Sequence, residues 1–225
     1  MRNTLERDGF VFQKKLLTHL STLEIARRVG SILDIDKLLP SSRIPTVQSL
    51  SPRATTAAKK NRYSGNYGLD LFPLHTDLAH WALPPHYLLL RCLVGTEDVF
   101  TNLLRSSYVV GVVGRAALQM AVLRTRRHRR GCSGLVRAMS PHREEQIFRW
   151  DPIFLEPLNS RAQALKRVML SPASNEAMIK ILLQDPGDIL LIDNWRTLHG
   201  RSQVPARSAE RLIERVYLSE VFNDC

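Results

Sequence analysis

Apolar positions along the chain predict mostly β-strands. Residues 87–94 and 188–193 are nearly continuous apolar runs of strand length, as expected for strands buried on both faces. Residues 97–104 could form the next strand or a turn, and residues 145–150 are a further strand candidate. Residues 211–221 alternate instead, and a period of two gives that strand two unlike faces. One face carries Leu212, Glu214, Val216 and Leu218, and the other carries Arg211, Ile213, Arg215 and Tyr217.

Three stretches have the composition or spacing of helices. Residues 17–33 have apolar positions at helical intervals, with Thr22 as the predicted N-cap, and residues 106–123 and 174–183 are the other two. Residues 40–52 contain prolines and are expected to form a loop or short edge strands. The predicted strands outnumber the predicted helices and do not alternate regularly with them. This pattern favours an α+β fold with a mainly β core, a jelly roll with flanking helices, over alternating βαβ units. We expect one domain over residues 1–225.

Two distant segments carry the candidate chemistry. Residues 72–77 read Phe-Pro-Leu-His-Thr-Asp and supply His75 and Asp77, and residues 186–201 supply His199. Two imidazoles and one carboxylate cover one face of an octahedral metal and leave the other positions open, as in non-haem Fe(II) sites. On an extended strand, a two-residue spacing places His75 and Asp77 on one face. A His-x-Asp motif alone is weak evidence for a metal site. The prediction depends on finding that motif together with the distal histidine.

Arginines follow the distal histidine at fixed intervals. Arg211 and Arg215 lie 12 and 16 residues after His199 and share a strand face. Because a guanidinium fork matches a carboxylate, they could hold an acidic cosubstrate. Arg201 could bind a carboxylate of the cosubstrate or of the substrate, or could form a salt bridge to Asp188 or Asp193.

Composition places the chain among ordinary globular proteins, with 44% hydrophobic and 24% charged residues. Cys92, Cys132 and Cys225 are widely spaced, which indicates a reducing compartment and no disulfide framework. The first residues are polar and carry no secretory signal, and residues 108–123 are too short for a membrane span. We therefore expect a cytoplasmic protein with no membrane contact.

The net charge of +11 indicates an anionic partner. Much of it is local, since residues 124–130 contain five arginines. This run is either a solvated loop or helix end, or a contact for an anionic substrate, an acidic carrier protein or nucleic acid. No aromatic residue is interleaved with the arginines, which makes nucleic acid the weaker alternative. We predict that the run is peripheral to catalysis.

With these motifs, the chain resembles the Fe(II)/2-oxoglutarate-dependent dioxygenases of the taurine dioxygenase and clavaminate synthase type, including γ-butyrobetaine hydroxylase. The resemblance spans roughly residues 9–221 and is carried by residues 61–68, 72–77, 84–92, 149–150 and 186–201. It implies a double-stranded β-helix with outer helices. It also implies use of Fe(II), 2-oxoglutarate and O2 to hydroxylate, or to desaturate or cyclise, an unactivated C–H bond of a small molecule, with release of succinate and CO2.

The resemblance also implies roles for individual residues. His75, Asp77 and His199 would be the catalytic metal ligands. Arg211 would pair with the distal carboxylate of 2-oxoglutarate, beside the hydroxyl of Thr101 or, as a weaker candidate, of Thr96. Arg215 would lie near the cosubstrate unless it forms a structural ion pair. The presence of Asp77 favours hydroxylation over halogenation.

Residues near the ligands are candidates for the substrate pocket. Trp81 could line that pocket or pack beneath the strand, and Asn194 could cap a turn or orient a ligand. The compressed spacing between the second and third ligands predicts a trimmed lid and an open site. The remaining pocket candidates are Tyr63, Asn66, Tyr67 and His80.

Two further hypotheses remain open at the level of sequence. One is an oxygenase associated with nucleic acid or a carrier protein through its basic surface. The other is a catalytically silent binding homologue, which the intact ligand set and Arg211 argue against.

Overall fold

The computed structural model describes residues 1–38, 44–57, 63–126 and 134–223. Its helices are α1 (Arg2–Asp8), α2 (Thr22–Val29), α3 (Ile35–Leu38), α4 (Tyr63–Tyr67), α5 (Ser106–Val113), α6 (Arg115–Met120), α7 (Ser160–Met169) and α8 (Pro172–Glu176). Its strands are β1 (Phe10–Gln13), β2 (Gly30–Ile32), β3 (Gln48–Leu50), β4 (Phe72–His75), β5 (Tyr87–Val94), β6 (Phe100–Arg105), β7 (Val122–Thr125), β8 (Leu135–Arg137), β9 (Met139–His142), β10 (Glu145–Phe148), β11 (Leu155–Pro157), β12 (Ile179–Leu182), β13 (Ile189–Asp193), β14 (Thr197–Arg201) and β15 (Leu212–Val221).

Two antiparallel sheets form the centre of the fold. The larger has the order β1-β13-β5-β15-β2, and β3 pairs with the first half of β15. The smaller has the order β12-β6-β14-β4. Two small sheets, β11-β7-β8 and β10-β9, complete the described strands. The prediction of an α+β fold with a mainly β core is confirmed, and all pairings among the described strands are antiparallel.

The apolar core lies in layers on both faces of the larger sheet. Leu88 and Leu90 of β5 pack toward the smaller sheet with Leu103 of β6. Leu89 points to the opposite face and packs with Ile25 of α2. Because successive side chains of β5 enter two different cores, the strand has to be apolar throughout, as its sequence is.

The outer face of the smaller sheet is covered by helices. Leu74, Leu104 and Leu198, one from each of β4, β6 and β14, pack with Leu118 of α6 and Leu165 of α7. The order of layers is therefore helix, larger sheet, smaller sheet, helix. The space between the two sheets is the place where a site could be enclosed.

Several predicted helices are wrong in extent. The first predicted helix is limited to α2, whose N-cap is Ser21 rather than Thr22, because Ser21 and Glu24 form a reciprocal capping box. The second is divided at Gly114, whose φ of 89° no helix accommodates, and the chain then enters β7. The third ends at Glu176 and continues as β12, which pairs with β6.

The remaining strand predictions agree to within a few residues. Residues 40–52 were expected to form a loop or short edge strands, and the structure shows the edge strand β3 in this stretch. Helix α7 was not predicted, although Asn159 caps it and Ala162, Leu165 and Met169 form its buried stripe. Among the described residues, no helix is both long enough and apolar enough to cross a bilayer.

Candidate metal centre

The three predicted ligands meet at one point between the sheets. His75 of β4 lies directly opposite His199 of β14 in the sheet register. The Nε2 atoms of both histidines lie 3.5 Å from Oδ1 of Asp77. One ligand atom from each residue lies within 4.8 Å of the others, and all three residues are buried. Two imidazole nitrogens and one carboxylate oxygen at this spacing fit a divalent first-row ion such as Fe(II).

The histidines are held in the form that binds a metal. Nδ1 of His75 lies 2.9 Å from the carbonyl oxygen of Pro73, so this nitrogen donates and Nε2 keeps its lone pair for the centre. Burial, together with the nearby His75, lowers the pKa of His199. A neutral imidazole is the species that ligates metals.

Asp77 does not reach the centre from a strand, contrary to the prediction. It lies in a turn after β4, and Asn194 fixes that turn. The N–H of Asp77 donates to Oδ1 of Asn194 at 2.7 Å, and Nδ2 of Asn194 donates to the carbonyl oxygens of Asp77 at 3.1 Å and Pro85 at 2.8 Å. Of the two alternatives for Asn194, the geometry therefore favours orientation of a ligand.

The second oxygen of the Asp77 carboxylate is occupied by protein donors. Oδ2 accepts from Nη1 of Arg215 at 2.6 Å and from the hydroxyl of Tyr217 at 3.0 Å. Burial alone would raise the pKa of Asp77, but the charge of Arg215 and the adjacent imidazoles hold that pKa well below its ordinary value. The carboxylate is therefore ionised, and only Oδ1 faces the histidines.

Arg215 thus forms the ion pair that the sequence left open as an alternative to cosubstrate binding. Its Nη2 donates to Oε1 of Gln48, on β3, at 2.7 Å. Both contacts come from residues that line the same cavity as the ligands.

Arg211 has a different environment. It is 7% exposed and lines the cavity, yet its Nε has no hydrogen-bond partner in the described part of the chain. Burial lowers the pKa of Arg211 to about 10, so the guanidinium is still cationic at neutral pH. A buried cation without a protein carboxylate beside it is a site for an anionic ligand.

Of the two threonine candidates, the geometry favours Thr101. Thr101 lies on β6, is buried and lines the cavity. The hydroxyl of Thr96 is instead 2.7 Å from the hydroxyl of Ser208, and Thr96 is not among the residues that line the cavity.

Arg201 lines the cavity without the predicted salt bridges. Its Nη2 donates to two backbone carbonyls in the loop before β4, at 2.9 and 2.8 Å, and its guanidinium lies 3.6 Å above the Phe72 ring. Asp193 pairs with Arg196, and Asp188 accepts backbone N–H groups of its own turn. Of the two alternatives for Arg201, the salt bridge to Asp188 or Asp193 is therefore not formed, and carboxylate binding stays a prediction.

Three of the predicted pocket residues line the cavity. The Tyr63 ring stacks on His75 with centroids 4.0 Å apart, and the His80 ring lies 4.7 Å from that of Phe154. Trp81 lines the cavity and also belongs to the core between the sheets, so both alternatives for it hold.

The other two pocket candidates lie elsewhere. Asn66 is exposed, and neither it nor Tyr67 is among the lining residues. Tyr67 supports the site indirectly, since its ring stacks against Tyr63 at 6.0 Å. Both belong to the short helix α4, where only the face that carries Tyr63 reaches the cavity.

Sequence reasoning missed several residues of the site. Asp151 is buried and lines the cavity, and burial raises the pKa of its carboxyl. Arg149 donates to the carbonyls of residues 79, 81 and 82 and so fixes the loop after Asp77. Tyr217 shared a predicted face with both arginines, which was a usable signal. Gln48 offered none, because its role depends on strand pairing.

The cavity has a volume of about 670 Å³ and contains the ligands, Arg211 and Asp151 along its walls. Residues 44–53 supply a further wall, including Gln48, Leu50 and Arg53. The site is therefore walled on this side, and the trimmed lid that the compressed spacing suggests stays a prediction.

Only part of the arginine run lies in the described residues. Arg124 and Arg126 both pair with Glu156 on the outer side of the β11-β7-β8 sheet. Neither side chain lines the cavity. Arg127, Arg129 and Arg130 fall outside the described residues.

Comparison with curated proteins finds relatives among amino-acid hydroxylases. The L-lysine 3-hydroxylase of Catenulispora acidiphila is 25% identical over 191 residues, covering 77% of this chain and 51% of the relative. The enduracididine β-hydroxylase of Streptomyces hygroscopicus is 27% identical over 113 residues, covering 47% of this chain and 33% of the relative. The chain thus spans about half or less of the length of these relatives. No protein-family model matches it.

Solved structures share the architecture over nearly the whole chain. Asparagine oxygenase with Fe(II), 2S,3S-3-hydroxyasparagine and succinate has a TM-score of 0.68 at 17% identity, over 96% of this chain and 77% of that one. The non-haem iron oxygenase OrfP with Fe and α-ketoglutaric acid has a TM-score of 0.64 at 18% identity, over 97% of this chain and 78% of that one. The chain therefore has the fold of the non-haem iron oxygenases, which confirms the resemblance to Fe(II)/2-oxoglutarate-dependent dioxygenases that its motifs predict.

Proposed function

We propose that this chain, as one catalytic domain, is an Fe(II)- and 2-oxoglutarate-dependent oxygenase that hydroxylates an unactivated C–H bond of a small molecule. The observation that carries the proposal is the convergence of His75, Asp77 and His199 on a cavity that Arg211 also lines, a buried cation for which the described residues supply no carboxylate partner. A keto acid cosubstrate requires a metal site and an anion site in the same cavity, and this cavity offers both.

The residues of the cavity would have separate roles in binding the metal and the cosubstrate. His75, His199 and Oδ1 of Asp77 would hold the iron, which when bound supplies the oxygen-activating chemistry with 2-oxoglutarate and O2. Arg211 would pair with the distal carboxylate of 2-oxoglutarate, and the Thr101 hydroxyl would donate to the same group. The aromatic walls exclude water from the reacting atoms.

The two central sheets fit the double-stranded β-helix that the resemblance implies. They face each other across a shared apolar core and enclose the ligands between them. The similarity to iron oxygenase structures supports the same architecture.

We further propose that the substrate is an amino acid with a cationic side chain. Asp151 offers a buried carboxylate in the cavity, and its Oδ1 accepts the N–H groups of Ile153 and Phe154. Burial raises the pKa of Asp151, and a cationic substrate group beside it would favour the ionised form. L-lysine is the substrate named for one relative, and OrfP has been solved with (3S)-hydroxy-L-Arg.

The basic surface adds a second possibility for how the substrate arrives. A net charge of +11 suits an anionic or carrier-bound form of the substrate. Since Arg124 and Arg126 are partly neutralised by Glu156, the free amino acid is the simpler proposal.

Anaerobic titration with Fe(II) and 2-oxoglutarate tests the function directly. We expect a metal-to-ketoacid charge-transfer band that saturates with the cosubstrate, and a shift of that band on adding lysine or arginine. His199→Ala is the control that should abolish the band. A wild-type protein that shows no band at saturating Fe(II) and 2-oxoglutarate would contradict the proposal.

A further inference from the structure

The two oxygens of the Asp77 carboxylate have separate partners. Oδ1 lies 3.5 Å from Nε2 of both His75 and His199. Oδ2 accepts two hydrogen bonds, from Arg215 at 2.6 Å and from Tyr217 at 3.0 Å. Since both lone pairs of Oδ2 face protein donors, only Oδ1 remains for a metal ion.

Tyr217 lies on β15, an interior strand of the larger sheet. β15 has β5 on one side and β3 and β2 on the other, and Tyr217 lies opposite Leu88 of β5. The side chain is 2% exposed, and its ring belongs to the core between the sheets. A fixed ring fixes the position of its hydroxyl oxygen.

Arg215 stands on the same strand face, two residues before Tyr217. Its guanidinium carbon is 4.9 Å from the centroid of the Tyr217 ring, and its second nitrogen donates to Gln48. The two donors therefore reach Oδ2 from one rigid strand.

We propose that Tyr217, together with Arg215, is a positioning residue that makes Asp77 bind the metal through one oxygen only. This inference rests on the proposed function. A carboxylate released from the two donors can turn its second oxygen toward the ion and occupy a position that the keto acid needs. Asp77 is held in the one-oxygen orientation before any metal binds, so the cost of orienting it is already met during folding.

A purely structural role for the Tyr217 hydroxyl makes a different prediction. Loss of the hydroxyl would then lower the stability of the metal-free protein and leave metal geometry alone. The readouts have to separate these two effects.

The test compares Tyr217→Phe with Tyr87→Phe in the metal-free protein titrated with Co(II), whose visible absorption reports coordination number. Tyr87 lies on the neighbouring strand β5, stacks on His86 and does not line the cavity. We expect Tyr217→Phe to bind Co(II) about 10-fold more weakly, to alter the Co(II) spectrum, and to weaken 2-oxoglutarate binding. Tyr87→Phe should match wild type in all three.

A Tyr217→Phe protein with wild-type Co(II) affinity and spectrum would overturn the inference, even if its melting temperature falls. If that variant does not fold, Arg215→Lys decides the question, since it keeps the charge and loses the geometry of the fork. An altered Co(II) spectrum in Arg215→Lys supports the inference, and an unchanged one refutes it. Failure of the proposed function is distinct, because wild type would then form no complex with Fe(II) and 2-oxoglutarate.

Discussion

Replacing Arg211 by alanine should weaken 2-oxoglutarate binding far more than metal binding. The side chain is buried in the cavity, and no protein carboxylate compensates it among the described residues. Burial lowers its pKa from 12.5 to about 10, a shift that corresponds to roughly 3 kcal/mol at about 1.4 kcal/mol per unit. A cosubstrate carboxylate would offset that desolvation on binding.

The expected loss follows from this magnitude. Removing one partner of a buried charge pair typically costs about 2–5 kcal/mol, so the affinity for 2-oxoglutarate should fall by at least about 30-fold. The metal-free protein should not lose stability through a broken ion pair, since the described residues place no carboxylate beside Arg211, and loss of the buried cation also removes its desolvation cost. His75, Asp77 and His199 do not contact Arg211 in any hydrogen bond or ion pair of the structure, so metal affinity should also be retained.

The assay is the charge-transfer band titrated with 2-oxoglutarate at saturating Fe(II) without oxygen, and metal affinity is measured separately. Arg207→Ala is a matched control, since Arg207 is exposed, pairs with Asp98 and lies only four residues before Arg211. An Arg211→Ala protein whose 2-oxoglutarate affinity stays within about twofold of wild type would refute the reasoning. The assignment would then move to Arg201, which also lines the cavity.

Three further outcomes are expected. His199→Ala should abolish stoichiometric Fe(II) binding measured by equilibrium dialysis, and retention of one tight site would contradict the ligand assignment. Asp151→Asn should raise KM for lysine or arginine by about 10-fold or more, as expected for a lost hydrogen bond to a charged group. KM for a neutral amino acid and the affinity for 2-oxoglutarate should stay unchanged. An equal rise in KM for all substrates would argue against a role of Asp151 in side-chain recognition. Charge reversal in the arginine run, at Arg126, Arg127, Arg129 and Arg130, should leave turnover of a free amino acid nearly unchanged. It should slow turnover of a polyanionic or carrier-bound substrate in a salt-dependent way. A uniform, salt-independent loss of activity would show that the run belongs to the site or the fold.

The parts of the site that sequence predicted are those encoded by local pattern. The alternating pattern predicted one face for Arg211, Arg215 and Tyr217. Arg215 and Tyr217 lie on β15 and Arg211 directly precedes it, and all three line the cavity. The His-x-Asp motif and the distal histidine could be recognised from sequence because their side chains are all common metal ligands. Pairing of β4 with β14 then brought them together.

What sequence could not predict depends on contacts between distant segments. Residues 179–182 were assigned to a helix, yet they form β12 because β6 offers an open edge. The Asp77 turn depends on Asn194, more than a hundred residues away. No motif in the neighbouring sequence distinguishes Asp151 or Gln48, and only the folded chain shows that both line the cavity.

The location of His75 at the end of β4 also bears on how the protein keeps its shape. β4 is one of the two edge strands of its sheet, and two registered residue pairs join it to β14 among the described residues. One of them is the pair His75 and His199, so an ion bound there would cross-link the edge strand to its neighbour, and Asp77 would tie both to β15 of the other sheet. Because a ligand that binds only the native state stabilises it in proportion to the logarithm of its concentration over Kd, hydrogen exchange in β4 should slow on metal binding more than exchange in the interior strand β5. An ion bound at this site would therefore also stabilise the attachment of an edge strand to its sheet.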